Sequence, residues 1–594
     1  MKELEYPFDS EYILKKKKSI KRTLLENEKV RFIEKKIAIL GGSTTNDIKA
    51  VLDLFLLNYG IKASFYESEY AQYWQDVMFD NSELIEFRPD LIYIHTTTRN
   101  VTVYPVIAAS EKEILDLLEK TEKYYTLMWD KIAETYHCPV IQNNFEMPFY
   151  RLLGNKDVSV PFGRVNFITE LNRRFYNYAN THENFYINDI NYLSACYGLQ
   201  KWADPFYWHM YKYGLAVPAI PELAYNVANI IKSIYGKNKK AFVLDLDNTL
   251  WGGIVGDDGA ENIEIGQETS IGQLYSEFQS YLKTHKDLGV MLNINSKNDY
   301  ENAIAGLSRP DSVLKPEDFI IIKANWNSKE RNIQEISKEL NIGEDSLVFV
   351  DDNPAERYIV SSQIEGIAVP EIQTPETYIR ILDRSGFFEA TSFSEDDLKR
   401  NVMYKANMER KQQESSFADY GDYLKSLEMT AEIKAFSPVY MSRIAQLTNK
   451  SNQFNITTKR CSQSDIEAYA ADKNFITLYG KLEDKFGDNG VVSIVFGHQK
   501  EAVLHIDLWL MSCRVLKRDM EFAMMDVLVK RCKECGIEKL VGYYNPTIKN
   551  KMVKQFYAMK SFSKVSENEN GDTVWELDIK KGYTNKNKYI KVVD

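Results

Sequence analysis

Short apolar runs that end abruptly at polar residues set the rhythm of the first third of the chain. Lys36 to Leu40 (KIAIL) reads as a strand running into Gly41-Gly42-Ser43-Thr44-Thr45, and then into a helical stretch rich in Leu and Phe, Asp47 to Leu57. A second strand is expected at Ala63 to Tyr66. Further runs at Leu91 to Ile94 and Val140 to Ile141 stop at His95 to Asn100 and Gln142 to Asn144. Strands alternating with helices imply a parallel sheet covered on both faces, so residues 1–235 are expected to form one α/β domain.

After a Lys-rich segment, Lys232 to Lys240, the same rhythm begins again. Ala241 to Gly253 (AFVLDLDNTLWGG) opens as a buried strand, Phe242 to Leu244, that stops at Asp245 and Asp247. A helix is expected over Ile271 to Leu288, with Leu274, Phe278 and Leu282 on one face. Strands follow at Val290 to Ile294, Phe319 to Ile322 and Ser346 to Val350. Between the last two, Ile333, Ile336 and Leu340 mark a helix face, and Asn327 with Glu330 suggests a capping box that puts Lys329 in the first turn. These elements define a second domain, 236–390. The polar stretch Phe393 to Glu414 is expected to be a linking helix, and 391–594 turns to a mixed α+β pattern. It has a helix at Pro438 to Leu447, strands at Phe475 to Leu478, Val491 to Phe496 and Ala502 to Leu510, and a helix after Arg514.

Composition narrows the classes. A chain of 594 residues has room for several cores. The net charge of −11 argues against a nucleic-acid surface, because phosphate contacts call for excess Lys and Arg. The basic run Lys15 to Lys18 is local and reads as one face of a solvated helix. Six scattered cysteines form no disulfide framework, and Cys532 with Cys535 has no second pair at zinc spacing. Met1 to Val30 is charged throughout and no stretch is apolar enough to span a bilayer, so a cytoplasmic protein without membrane or nucleic-acid partners is expected.

The chemistry concentrates in the middle domain. Two carboxylates at a strand's carboxyl edge repel each other unless a cation sits between them, and a hard ion such as Mg²⁺, with a phosphate opposite, suits that place. Three more strand or helix ends bring Ser296, Lys329, and Asp351 with Asp352. In this order and spacing the set resembles the haloacid dehalogenase superfamily. That resemblance gives Asp245 the role of nucleophile, and Asp247 that of the group which protonates the leaving oxygen and later accepts a proton from water. Ser296 and Lys329 would hold the phosphoryl oxygens. Asp245, the carbonyl of Asp247, Asp351 and Asp352 would form the Mg²⁺ shell. Thr249, Trp251, Gly252, Asn295, Lys297 and Asn298 line the same strand ends and are taken as substrate-binding candidates. Glu356 reads as a supporting or exposed acid. The short intervals between motifs leave no room for a large cap domain, so the fold expected is a Rossmann-like haloacid dehalogenase domain without one.

The outer domains carry looser resemblances. Ser43, Asn100 or Asn144, Asp204 and His209 resemble the Ser-Gly-Asn-His hydrolase arrangement, although Gly-Gly-Ser stands where that family has Gly-Asp-Ser and Asp204 lies five residues from His209 rather than three. The C-terminal strands feeding a helix resemble acyl-CoA N-acetyltransferases. Lys517 and Asp519 stand where that family places the glycines of its pyrophosphate cradle, so crowding there is expected.

DLDNTLWGG (Asp245 to Gly253), SKND (Ser296 to Asp299), VFVDDNPAER (Val348 to Arg357), LTNKSNQFNITTKR (Leu447 to Arg460) and FGDNGVVS (Phe486 to Ser493) together resemble the FkbH-like proteins, a haloacid dehalogenase branch of subfamily IIIC acting in polyketide and related pathways. The resemblance implies a glyceryl transferase/phosphatase that takes up 1,3-bisphosphoglycerate or a similar acyl phosphate, removes phosphate, and passes the glyceryl unit to the phosphopantetheine thiol of an acyl carrier protein. One departure bears on this. The family has Cys before the Ser of its second motif, and here that residue is Asn295, which forms no thioester. A plain phosphatase acting on a small phosphorylated metabolite, and a non-catalytic acyl-binding scaffold, therefore stand beside the first reading.

Overall fold

The computed structural model describes residues 1–27, 30, 32–391, 395–451, 453–547 and 549–593. The chain folds as two compact units, Met1–Ile234 and Tyr235–Asp594. In the first, β1 (Ile33–Gly41), β2 (Ile61–Glu67), β3 (Leu91–His95), β4 (Val140–Asn143) and β5 (Phe185–Asn188) form a parallel sheet in the order β2-β1-β3-β4-β5. The interior strands are apolar throughout because both faces are covered. Ala38, Leu40, Ile92 and Ile94 meet an aromatic core of Trp129, Phe145, Phe167 and Phe175. Helices Asn46–Asn58 and Ile220–Ile234 pack on one another. The N-terminal basic run lies in a helix, Ser10–Leu25, capped by Asp9.

The second unit holds both segments expected as separate domains, 236–390 and 391–594. Its first sheet, β6 (Ala241–Leu244), β7 (Met291–Ser296), β8 (Ile321–Ala324) and β9 (Leu347–Val350), is parallel in the order β8-β7-β6-β9. Its second has nine strands: β10 (Thr430–Lys434), β11 (Phe454–Asn455), β12 (Phe475–Asp484), β13 (Gly487–Lys500), β14 (Val503–Met511), β15 (Lys539–Tyr544), β16 (Ser563–Glu567), β17 (Thr573–Asp578) and β18 (Lys591–Val593). Phe393, the expected start of the linking helix, lies outside the described residues. The helix Arg400–Glu414 that follows explains why the two sheets are one body. Asn401 donates to the carbonyls of Lys286 and Val290 beside the first sheet, and Arg410 grips Asp484 of β12 through two bonds of 3.0 and 2.7 Å.

In the second sheet, β14 and β15 run parallel only as far as Ile506 and Gly542. Beyond that the chain's own β11 fills the gap, with Phe454 and Asn455 opposite Met511 and Leu510, and Ile456 bridging Trp509 and Asn545. Asn452 of the 447–460 motif lies outside the described residues. Lys517 and Asp519 both take positive φ, +65° and +60°, the left-handed region that favours glycine. Between them Arg518 turns inward to Asp484. Among the described residues no helix is long and apolar enough to cross a membrane.

Candidate active site

All four strands of the first sheet in the second unit end at one edge. β6 leads on towards β7, whereas β9 joins its other side, and a parallel sheet opens a ligand crevice at such a reversal. Asp245 follows β6 and Asp351 follows β9, so the crevice is lined by acids. Carboxylate oxygens of Asp245, Asp351 and Asp352 lie within 4.8 Å of one another. Lys329, the first residue of helix Lys329–Leu340, places its ammonium 3.0 Å from Asp245 Oδ2 and in contact with Asp351 Oδ2. Burial, then the charge of Asp245, pushes the Asp351 carboxyl up to about 6 and raises that of Asp352. Burial works to lower the Lys329 ammonium, but Asp245 and Asp351 outweigh it and raise the group.

Asp245 Oδ1 is buried and has no hydrogen-bond partner. An orphaned carboxylate oxygen costs stability unless a ligand completes it, and three crowded carboxylates are the donor set of a hard cation. The residues present fit Mg²⁺.

Asp247 is used differently. Its side chain stands apart from that cluster and accepts three hydrogen bonds: Oδ1 from Trp251 Nε1 and Val255 N, both at 3.0 Å, and Oδ2 from Asn298 Nδ2 at 2.7 Å. Asn248 makes the turn possible at φ +54°, which Asn tolerates better than most side chains. Its carbonyl accepts from Tyr275 and Tyr378. Gly252 pairs with Glu264, where a Cβ would sit 3.0 Å from the Tyr275 ring and 3.1 Å from Glu264 Cβ.

The structure brings Asp245, Asp247, Ser296, Lys329, Asp351 and Asp352 to one edge, and it corrects several companions. Trp251 is fully buried and donates to Asp247, so its indole positions that acid. Thr249, also buried, accepts from the backbone N of Asp352 at 3.1 Å and ties β6 to β9. Asn295 is fully buried with both ends of its amide engaged: Nδ2 donates to the Lys329 carbonyl at 2.9 Å, and Oδ1 accepts from Asn332 at 3.0 Å. Neighbouring strand residues face opposite ways, so Asn295 backs the Lys329 helix while Ser296 faces the crevice. The expected capping box is absent: Ser328 is the N-cap, and the Asn327 amide is taken by Asn325. Lys297 stays at the mouth, paired with Glu356 at 2.6 Å. Asn298 bridges Asp247 and Ser296 Oγ.

Two positions escaped the sequence reading. Arg357 clamps the carbonyls of Asp351 and Asp352 at 2.7 and 2.6 Å, and its place in VFVDDNPAER was the available signal. Asn332 joins Asn295 to Asn325, and nothing in its helical context marked it.

Asn298→Ala should free Asp247 Oδ2 and leave the carboxylate held through Oδ1 alone. We expect kcat for Mg²⁺-dependent hydrolysis of p-nitrophenyl phosphate to fall about ten- to a hundredfold with little change in KM, since general acid–base catalysis contributes about that much or more.

The hydrolase-like set of the first unit does not assemble. Ser43 Oγ is buried without a hydrogen-bond partner, so no His activates it. Asp204 caps the helix Pro205–Tyr211 by accepting from Phe206 N and Tyr207 N, and His209 is exposed on that helix. Asn144 spends its amide on Tyr176, Asp189 and Asn191, and Asn100 bonds Gly42. The polar edge is instead an internal network. Asn143 Nδ2 donates both to the Thr96 carbonyl and to His95 Nδ1, so His95 carries its proton on Nε2.

Burial holds His95 down at about 4 and pushes Glu146 up to about 7. Folded Glu146 keeps its proton to about pH 7, unfolded only to its ordinary value, so its contribution to stability is present at low pH and lost as pH rises through that window. Glu146→Gln removes the loss. The Tm of the variant relative to the parent should climb from pH 5 to pH 7, by the equivalent of about 3 kcal/mol at most, and a pH-independent difference would refute the assignment.

Parallel sheet, paired acids, strand-end Ser and helix-start Lys define a haloacid dehalogenase-type phosphatase domain. The family model described as FkbH, N-terminal domain, matches residues 36–232. The crystal structure of the N-terminal part of protein BF1531 from Bacteroides fragilis, containing a phosphatase domain complexed with Mg, is 31% identical over 64% of this chain and 99% of that one, with a TM-score of 0.59. The chain belongs to the FkbH-like family. Smaller overlaps join it to the ribosomal-protein-S18-alanine N-acetyltransferase of Escherichia coli, at 9% identity over 27% of this chain and 99% of that one with a TM-score of 0.21. The PaiA N-acetyltransferase of Thermoplasma acidophilum in complex with coenzyme A stands at 15% over 25% and 99%, with a TM-score of 0.19. Likenesses at that level carry no argument about the C-terminal region. No curated protein matches the chain.

Proposed function

We propose that the protein is an Mg²⁺-dependent phosphatase and acyltransferase. It would act on 1,3-bisphosphoglycerate or a similar acyl phosphate and deliver the glyceryl-type unit to the phosphopantetheine thiol of an acyl carrier protein. The observation that carries the phosphatase half is the unpartnered Asp245 Oδ1 beside Lys329, Asp351 and Asp352.

Asp245, Asp351 and Asp352, with the backbone carbonyl of Asp247, would hold the metal, which supplies charge neutralisation at the phosphoryl group. Asp245 attacks the phosphorus of the ester phosphate, and the P–O bond to the ester oxygen breaks as Asp247 protonates that oxygen. Asp247 then takes a proton from the water that cleaves the aspartyl-phosphate. Lys329 and Ser296 neutralise and orient the phosphoryl oxygens. For the acyl half, the carrier sulfur attacks the acyl carbonyl and the anhydride phosphate leaves. Asn295 gives that step no thioester stage, so transfer goes directly to the carrier thiol.

Asn295 also favours a second reading, a phosphatase acting on a small phosphorylated metabolite without acyl transfer. One incubation separates the two. Protein, holo carrier protein, 1,3-bisphosphoglycerate and Mg²⁺ are combined, and carrier mass and free phosphate are read. A glyceryl-loaded carrier supports the first reading, and phosphate without loading supports the second. Neither product, across a broad phosphoester panel, would leave the scaffold reading.

A further inference from the structure

The helix Pro205–Tyr211 reads Pro-Phe-Tyr-Trp-His-Met-Tyr, and it buries none of these side chains. A helix so apolar ordinarily turns one face to a core. Here Phe206 is 64% exposed and Met210, one turn on, 57%. Two more segments of the first unit do the same: the loop after β3 exposes Val106 and Ile107, and the loop after β4 exposes Tyr150 and Leu152. Arginines join the three segments into one face. The Arg99 guanidinium lies over the rings of Phe149 and Trp208, 5.6 and 5.4 Å from their centroids, and that of Arg164 lies over Tyr104 and Tyr150, 4.9 Å from each. Single apolar residues on a surface are ordinary, but a contiguous set marks an interaction site.

The face is also basic, in a chain whose net charge is −11. Its cations are met by rings and neutral oxygens. Arg151 donates to Asn155 at 2.8 Å, Arg164 to the Tyr150 hydroxyl at 2.6 Å, and Lys212 lies over Trp208 at 5.6 Å. Among the described residues, none of Arg99, Arg151, Arg164 and Lys212 forms an ion pair. The acids of the same segments are turned to internal tasks. Asp157 is buried and accepts from Val165 N at 2.8 Å, Asp204 caps its helix, and Glu146 is buried on Thr98.

We propose that this face docks the carrier protein, taking an acidic, amphipathic partner whose prosthetic arm is attached through a phosphodiester. The assignment rests on the carrier-loading reading above and adds the surface that reading requires. Tyr, Trp, Phe, Met and Arg are the residues enriched where proteins meet. An arginine fork stacked on a ring is suited to phosphate and carboxylate groups. A second copy of this chain would bring the same positive face, and like charges across an interface oppose association. An acidic carrier brings the opposite charge.

The test titrates the full chain with the holo carrier protein of the loading assay, by calorimetry at low salt. Two double variants change only exposed side chains: Arg151→Glu with Lys156→Glu, and Phe206→Ser with Met210→Ser. Each should weaken carrier binding about tenfold or more, and lower loading at subsaturating carrier in step. Hydrolysis of p-nitrophenyl phosphate and Tm should stay at the parent's values. Added salt should weaken the parent more than the charge-reversed variant. A carrier bound equally by the parent and both variants would overturn this face and leave the carrier reading standing. A parent that neither binds nor loads the carrier would remove that reading, and this one with it. Parent binding to phosphatidylglycerol/phosphatidylcholine vesicles that is lost in Phe206→Ser with Met210→Ser, while carrier binding persists, would give the face to a membrane. A parent dimer that both variants dissolve, again with carrier binding intact, would give it to a second copy.

Discussion

Asp245→Asn should lose phosphate release by at least about a thousandfold while the protein remains folded. Among the described residues Asp245 is the acid at this edge with a buried oxygen that bonds to nothing, so one of its oxygens is open to a ligand while the other faces Lys329. Asn keeps the shape and the contact near Lys329 but has no anionic oxygen to form an aspartyl-phosphate. The substitution also removes the charge that helps raise Asp351 and Asp352, so both should titrate lower in the variant. Near-normal circular dichroism together with residual activity above about one per cent would remove Asp245 from the nucleophile's role.

Lys329→Met should strike stability as well as rate. The ammonium and the carboxylates of Asp245 and Asp351 are nearly inaccessible to water. Removing one partner of a buried ion pair typically costs about 3 to 5 kcal/mol, because the charge left behind is uncompensated. Here two carboxylates are left facing each other, so the metal-free variant should melt well below the parent. Mg²⁺ should then raise its Tm by more than it raises the parent's, since a cation at the cluster replaces the missing positive charge. Turnover should stay at least about a hundredfold down even at saturating Mg²⁺, because the phosphoryl oxygens have lost their ammonium. Equal Mg²⁺ shifts in the two proteins would mean that the cluster does not hold the ion.

The framework of this site was legible because each motif sits where an apolar run ends, and strand ends are fixed locally. Asp245 and Asp351 follow β6 and β9, and Ser296 ends β7, as the periodicity requires. What the sequence hid is the direction of side chains that meet only after folding. Trp251 reads as a contact at the crevice because it lies just past the end of β6, yet its indole turns inward to Asp247. Asn295 could have been placed by strand alternation alone, since it precedes Ser296 and must face the other way. The motif comparison with the family's Cys drew it towards the chemistry instead. β5 escaped because Phe185–Asn188 is short and follows a polar stretch. β11 is shorter still and exists only because β14 and β15 diverge beside it. Ser43, Asp204 and His209 lie on segments whose packing, not spacing, decided that no hydrolase dyad forms.

The central claim is that Asp245 carries the phosphoryl group. Mixing the protein with Mg²⁺ and 1,3-bisphosphoglycerate, quenching in acid within the first turnover, and mapping phosphorylated peptides by mass spectrometry tests it directly. The account predicts a single acid-stable, base-labile phosphoryl adduct on the peptide containing Asp245, absent in Asp245→Asn and longer-lived in Asn298→Ala. Phosphate release with no adduct on that peptide, or an adduct that persists in Asp245→Asn, would contradict it.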